Sequence, residues 1–135
     1  MLSHSTKLRV RYAETDQMGY MYYGNYAQFY EVGRVEMLRS LGMTYKSMED
    51  SGIMMPVLDL KCKFIKPALY DEEITICVTM AKKPSVRIHF AYQLFNEKQE
   101  LINEGETTLV FINIKRNKPC LPSKDFMERL QQFFS

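Results

Sequence analysis

The stretch YAETDQMGYMYYGNY, residues 12–26, decides the fold. It places one carboxylate, Asp16, in a loop rich in aromatic side chains, directly before a helical pattern. Aromatic surroundings would leave this carboxylate poorly hydrated and more basic, and the free N–H groups at the start of the helix could hold an oxygen anion. A base beside an oxyanion site is what acyl transfer requires. On pattern alone, however, an aspartate in this position is more often a helix cap or a solvated loop residue.

A long helix is predicted directly after this stretch, because apolar and aromatic residues recur at steps of three and four. Asn25 is a candidate N-cap, and Gly42 is well placed just past the helix end. Gly33, in the middle, costs about 1 kcal/mol relative to alanine, which predicts close packing of the helix backbone on a sheet. A short helix is predicted over residues 44–51. The periodic face of the long helix consists of Tyr26, Phe29, Tyr30, Gly33, Met37 and Leu41.

The remaining segments are predicted to be strands, because apolar and polar residues alternate in them. A first strand is predicted over Lys7–Glu14. Residues Thr107–Ile114 form a nearly continuous apolar run, which predicts a central strand buried on both faces. The last segment, Ser123–Phe134, is compatible with a helix capped by Ser123. The other alternating segments are Leu58–Phe64, Ile74–Met80 and Val86–Leu94.

The order of these elements predicts an α+β architecture, with one long helix after the first strand and four hairpin-connected strands after it. No repeat or linker interrupts the chain, so residues 1–135 are predicted to form one domain. The single helix can cover only one face of the sheet. Apolar residues on the other face would then need a second subunit, which predicts an oligomer.

Composition argues against several classes of protein. The formal net charge of +2 is too small for a typical nucleic-acid-binding surface. No apolar run reaches the roughly 18 residues of a membrane span, and the polar N-terminus does not resemble a secretory signal. The three cysteines are far apart and form neither a C-x-x-C pair nor a zinc site. A cytoplasmic protein without a bound metal is therefore expected.

The segment around Asp16 resembles the signature of the 4-hydroxybenzoyl-CoA thioesterase family of hotdog proteins, including its bacterial branch of general acyl-CoA thioesterases. The resemblance extends over roughly Lys7 to Pro122. It implies a hotdog fold, in which an antiparallel sheet of about five strands wraps around one long central helix. The matching elements are Thr15-Asp16, Gly19, Tyr22-Tyr23, Asn25-Tyr26, Phe29-Tyr30-Glu31 with Arg34, Lys66-Pro67-Ala68 with Tyr70-Asp71, and Glu104-Gly105-Glu106.

The resemblance implies hydrolysis of an acyl-CoA thioester to a free acid and coenzyme A, without a cofactor. Asp16 would be the catalytic carboxylate, either as a general base or as a nucleophile, and the backbone N–H near Tyr23 would polarise the thioester carbonyl. Many relatives carry His at the position of Tyr23, so a side-chain role is in doubt here, whereas a backbone role survives the change. Active sites would lie between subunits of a homodimer or homotetramer. Further substrate contacts are expected from Gly19, Tyr22, Gly24 and Asn25.

Three basic residues flank the turn between the third and fourth strands: Lys82, Lys83 and Arg87. Relatives often place basic residues there, where the phosphates of coenzyme A lie at the surface, and charged hydrogen bonds would bind them. A solvated hairpin end is an equally good interpretation.

Two other functions on the same fold remain open. A binding or sensing module would hold acyl-CoA without cleaving it, although the carboxylate at position 16 argues against this. A hydratase would need a pocket histidine, but His4 is expected in a frayed terminus and His89 on an outward strand face. Glu31 on the helix is a reserve candidate for the base, although an ion pair with Arg34 is the simpler interpretation.

Overall fold

The computed structural model describes residues 1–134 and contains a five-stranded antiparallel sheet of order β1-β4-β5-β6-β3. A second sheet of order β2-β7-β8 lies beside it. The strands are β1 (Leu2–Arg9), β2 (Ile53–Met54), β3 (Val57–Phe64), β4 (Glu73–Met80), β5 (Arg87–Phe95), β6 (Leu101–Val110), β7 (Ile112–Asn113) and β8 (Lys118–Pro119). The helices are α1 (Tyr26–Ser40), α2 (Tyr45–Asp50) and α3 (Lys124–Leu130), with 3-10 turns at Tyr12–Glu14, Tyr23–Asn25 and Gln131–Phe133.

Helix α1 packs across one face of the main sheet, and Gly33 allows its close approach. The inward side chains of β4, which include Ile76 and Val78, are fully buried. A Cβ added at Gly33 would lie 2.6 Å from Val78 Cγ2 and 2.7 Å from Ile76 Cγ2. Cβ atoms in proteins essentially never approach another heavy atom this closely. The helix and the close packing at Gly33 are therefore confirmed, and the α+β hotdog architecture with them.

At the C-terminal end of α1 the predicted glycine is confirmed, whereas at the N-terminal end the predicted cap is not. Gly42 follows the helix with φ +82°, a conformation that favours glycine, as predicted. The prediction for Asn25 is wrong in its mechanism, because its side chain accepts no capping hydrogen bond and its backbone is already helical. The Nδ2 atom of Asn25 instead donates to the Glu14 carbonyl at 2.9 Å. This bond fastens the start of α1 to the preceding loop.

The first strand lies earlier in the chain than predicted. It starts at Leu2 and ends at Arg9, and residues 12–14 form a 3-10 turn. The turn is stabilised by the buried carboxylate of Glu14, which accepts the backbone N–H of Arg11 at 2.8 Å. His4 pairs with Val78 inside this strand, so the expectation of a frayed terminus is also wrong.

The prediction that Thr107–Ile114 forms a central strand buried on both faces is wrong. The strand that contains its first half, β6, begins at Leu101 and ends at Val110, and the central strand of the sheet is β5. Phe111 leaves the strand and packs edge-on against Phe126 of α3, with 5.7 Å between ring centroids. The run is apolar because its first half packs within the sheet as part of β6, whereas Phe111 packs against α3.

The prediction of four hairpin-connected strands fails at β3. This strand pairs with β6, at the opposite edge of the sheet from β1, so residues 65–72 cross over to β4 without forming a hairpin. Among the described residues, β3 has one unpaired edge. Its exposed apolar side chains are Val57, Leu58, Leu60 and Phe64.

The sheet face opposite α1 is polar, contrary to the expectation that apolar residues there would need a second subunit. The outward side chains of β4 and β6 include Thr75, Cys77, Thr79, Glu104 and Glu106. Exposed apolar side chains lie instead along the β3 edge and on the segment that carries Asp16, which includes Met18 and Tyr20.

The C-terminal helix prediction is confirmed, with Ser123 Oγ accepting the Phe126 N–H at 3.2 Å. Within residues 1–134, no helix has both the length and the apolar character needed to cross a membrane.

Candidate active site

Asp16 lies in a tight turn that fixes one of its two carboxylate oxygens. Its Oδ1 accepts the backbone N–H of Met18 at 2.9 Å and that of Tyr20 at 3.3 Å. Gly19 closes the turn with φ +79°, a conformation that favours glycine. Such a turn is the structural role expected of a loop aspartate. The second oxygen, Oδ2, has no hydrogen-bond partner among residues 1–134 and remains available for chemistry.

The 3-10 turn Tyr23–Asn25, which leads into α1, presents two free backbone donors. The carbonyl of Glu14 accepts the N–H of Tyr22 at 2.8 Å and the side chain of Asn25 at 2.9 Å, which fixes the loop. The N–H groups of Tyr23 and Gly24 bond to none of the described residues. This is the normal condition of the first donors of a helix.

A hollow of about 330 Å³ lies beside both Asp16 and Tyr23, and we call it the Phe64 hollow. The ring of Phe64 stands edge-on to Tyr26 at 5.2 Å and to Tyr23 at 6.4 Å. The Tyr26 hydroxyl accepts the Ala68 N–H at 3.3 Å, and burial raises the pKa of Tyr26. Aromatic rings thus form much of the wall of the hollow, and Lys66 also lines it.

A second hollow of about 550 Å³ lies on another side of Asp16, and we call it the Tyr70 hollow. The rings of Tyr12 and Tyr70 meet edge-to-face there, with centroids 5.7 Å apart. A bridge between Tyr20 and Leu69 brings the Tyr70 segment beside the Asp16 turn. The lining of this hollow is completed by Thr15, Gln17 and Gly19.

The structure brings some of the predicted site residues together and leaves others far away. Asp16, Gly19 and Tyr23 each line at least one of the two hollows, whereas Tyr22, Gly24 and Asn25 line neither. Leu2 pairs with Met80 and Arg9 with Glu73, so Lys82 and its neighbours follow the opposite end of β1 and β4 from Asp16. At about 3.3 Å per residue, the two ends lie roughly 25 Å apart. Lys82, Lys83 and Arg87 therefore do not belong to the Asp16 site of the same chain, and phosphate binding by them stays a prediction.

The predicted ion pair between Glu31 and Arg34 is wrong. Arg34 is buried, and its Nε donates to the Tyr45 hydroxyl at 2.7 Å. Burial opposes the charge of Arg34, but the oxygens of Tyr45 and Tyr92 outweigh this effect and raise its pKa. Glu31 is exposed on the other side of α1 and lines neither hollow.

His89 lies on an outward strand face, as predicted. It lies on β5, 3.1 Å from Glu106 Oε1. No group of His, Cys, Asp and Glu among residues 1–134 could hold a metal ion.

Sequence reasoning missed the walls of both hollows, namely Tyr12, Met18, Phe64 and Tyr70. Tyr12 and Tyr70 are 58 positions apart in the numbering and meet only through the β1–β4 end of the sheet. No local pattern carries that information.

Comparison with known proteins agrees with this geometry. The family model of the thioesterase-like superfamily matches residues 10–130. YneP of Bacillus subtilis, provisionally named an acyl-CoA thioesterase, is 32% identical over 120 residues, covering 89% of this chain and 87% of YneP. The acyl-CoA thioester hydrolase YbgC of Escherichia coli O6:H1 is 26% identical over 125 residues, covering 93% of each chain. The DHNA-CoA thioesterase of Staphylococcus aureus superposes with a TM-score of 0.93 at 36% identity, covering 98% of this chain and 91% of that one.

The family match spans most of the chain and includes both the Asp16 turn and the start of α1. The superposition covers 98% of this chain at 36% identity, which shows homology as well as a common fold. The chain therefore belongs to the thioesterase-like superfamily, and it is a hotdog-fold thioester hydrolase related to the acyl-CoA thioesterases.

Proposed function

We propose that the chain hydrolyses acyl-CoA thioesters to a free acid and coenzyme A, with Asp16 as the catalytic carboxylate. The observation that carries this proposal is that Asp16 and Tyr23 line the same hollow. One supplies a carboxylate oxygen without a partner, and the other supplies a backbone N–H without a partner. A base and an oxyanion donor on one cavity form the minimum machinery for acyl transfer.

In the general-base route, Asp16 Oδ2 takes a proton from water while the water oxygen attacks the thioester carbonyl carbon. The carbonyl oxygen becomes an oxyanion, which accepts a hydrogen bond from the N–H group of Tyr23. Collapse of this intermediate breaks the C–S bond, and the thiolate takes the proton back. In the nucleophile route, Oδ2 itself attacks and expels the thiolate, and water then cleaves the mixed anhydride.

The working form is a homodimer or homotetramer in which the β3 edge lies at an interface. This edge is eight residues long, and Phe64 at its end is 52% exposed. A long apolar edge strand normally needs a partner. Phe64 belongs to both the edge and the Phe64 hollow, so a second copy on this edge would cover the acyl-binding side of the site.

Thiol release from a panel of short-chain, long-chain and aromatic acyl-CoAs tests the proposed function. The aromatic members are included because of the DHNA-CoA thioesterase of Staphylococcus aureus. Hydrolysis of at least one member is expected. Tight binding of acyl-CoA without thiol release across the panel would favour the binding module instead.

A further inference from the structure

The Asp16 carboxylate and the Tyr23 amide must keep a fixed spacing for the proposed hydrolysis. The base and the oxyanion donor act on the same carbonyl group, so a misplacement of about 1 Å can cost about a hundredfold in rate. Six residues separate Asp16 from Tyr23 in the sequence. A loop of this length does not by itself hold two atoms to that tolerance. Specific hydrogen bonds between the two ends of the loop must therefore hold them.

The two ends of this loop are joined at the carbonyl oxygen of Glu14. That oxygen accepts the backbone N–H of Tyr22 at 2.8 Å and the side-chain Nδ2 of Asn25 at 2.9 Å. Glu14 lies two residues before Asp16, and its own side chain is buried. Among the described residues, Asn25 supplies the only side-chain hydrogen bond between the segment that leads to Asp16 and the segment that carries the amide.

The backbone of Asn25 sets the direction in which the Tyr23 N–H points. The N–H of Asn25 donates to the carbonyl of Tyr22 at 2.9 Å. This carbonyl and the Tyr23 N–H belong to one planar trans peptide group, so they point in opposite directions. The Tyr23 N–H therefore points away from Asn25, and it bonds to none of the described residues. A displacement of Asn25 would turn this peptide group and the N–H with it.

We propose that Asn25 is a positioning residue, whose side-chain amide, bound to the Glu14 carbonyl, holds the Tyr23 N–H in place relative to Asp16. This inference rests on the proposed hydrolysis at Asp16. Asn25 lines neither hollow, so it acts through the Tyr23 amide and not through contact with the substrate. Its loss should therefore slow the chemical step and leave substrate binding almost unchanged.

A double-mutant cycle tests the inference, with Asn25→Ala and Tyr23→Pro made singly and together. Asn25→Ala removes one bond to the Glu14 carbonyl, which keeps its bond from the Tyr22 N–H. We expect kcat on the best acyl-CoA substrate to fall about ten- to a hundredfold, with KM within about twofold of the wild type. In the Tyr23→Pro protein there is no N–H to position, so the same change should lower kcat less than about threefold.

Three further variants serve as controls. Tyr23→Ala lacks the tyrosine ring but keeps the N–H, so Asn25→Ala should have its full effect in that background. Gln28→Ala removes an exposed amide of α1 that makes no side-chain hydrogen bond within residues 1–134 and lines neither hollow, and its kcat should equal that of the wild type. Asn25→Leu copies the branched shape of asparagine without its N–H groups. It should repeat the effect of Asn25→Ala, and it replaces that variant if thermal unfolding shows that Asn25→Ala does not fold.

The cycle separates failure of the inference from failure of the proposed function. An equal loss of kcat from Asn25→Ala with and without the Tyr23 N–H would overturn the inference, because Asn25 would then act on something other than this amide. An unchanged kcat, or an effect confined to KM, would overturn it as well. Failure of the wild type to release thiol from any acyl-CoA would instead refute the proposed function itself, and the inference with it.

Discussion

At the scale of single residues, the site depends on atoms that the fold leaves unpaired. Asp16 uses Oδ1 to hold its turn and leaves Oδ2 free. Tyr23 contributes its backbone, and its side chain is largely exposed. The proposed mechanism therefore does not depend on which side chain stands at position 23, because every residue except proline carries the N–H group.

Tyr23→Pro removes this N–H together with the tyrosine ring, which contacts Tyr22 and Phe64. Position 23 is the first of its 3-10 turn, and Tyr22 before it has φ −60° and ψ 134°, which proline permits. The lost donor makes no hydrogen bond within the described chain, so the melting temperature should change little. We expect kcat to fall about 10²- to 10³-fold, the effect of removing one oxyanion donor. Steady-state kinetics and thermal unfolding measure both quantities.

The control is Tyr23→Ala, which removes the side chain and keeps the N–H. It should retain kcat within a few-fold of the wild type. Equal activity of Tyr23→Pro and Tyr23→Ala would argue against an oxyanion role for this amide.

At the scale of elements, local periodicity predicted whether a segment forms a helix or a strand, but not which strands pair with each other. The three- and four-residue spacing located α1 correctly, and alternation located β4 and β5 to within about a residue. Strand β3 was predicted as a strand but placed beside the wrong neighbour, because pairing with β6 depends on contacts between distant segments. The same limit explains why Tyr70 and Phe64, which are distant from Asp16 in the sequence, were not predicted to lie beside it.

Gly33→Ala tests the packing of α1 on β4. Alanine is the better helix former by about 1 kcal/mol, but its methyl group would overlap Val78 and Ile76. Overpacking of this kind typically costs about 1–3 kcal/mol. We therefore expect a net loss of stability in urea unfolding. Gln28→Ala, an exposed change on the same helix, should stay within about 0.5 kcal/mol of the wild type. A stabilised Gly33→Ala protein would contradict the packing described.

At the scale of the whole molecule, we propose that copies assemble through the β3 edge, which is uncovered in the single chain. Leu60→Lys places a charge on this edge, where Leu60 is 42% exposed in the single chain. If the β3 edge is exposed to solvent, the protein should tolerate the added charge. If the edge lies at an interface between copies, the charge should weaken their association. We expect light scattering to show a smaller species than the wild type, with reduced hydrolysis. Gln93→Lys on the outer face of β5 is the control and should leave the mass unchanged. An unchanged mass for Leu60→Lys would place the interface elsewhere.

Four tyrosines whose hydroxyls are largely withdrawn from solvent can be followed by an alkaline titration. Burial raises the pKa of Tyr26, Tyr30, Tyr45 and Tyr92 above the ordinary value of 10.0. The folded state thus keeps these protons where the unfolded state loses them. Their stabilising contribution is complete below pH 10 and is lost as the pH rises above it. We expect the four buried tyrosines to ionise together with unfolding, measured by phenolate absorbance and circular dichroism. Their ionisation near pH 10 in a folded protein would contradict this.

The central claim is that Asp16 is the catalytic carboxylate of a thioester hydrolase, and Asp16→Asn tests it most directly. Asparagine keeps an Oδ1 acceptor for the N–H groups of Met18 and Tyr20, so the turn is preserved while the charge is removed. Asp50→Asn, at an exposed carboxylate of α2, is the matched control. The measurement is thiol release from the best acyl-CoA substrate. We predict that kcat falls at least about 10²-fold in Asp16→Asn and is unchanged in Asp50→Asn. Undiminished release by a folded Asp16→Asn protein would contradict the claim.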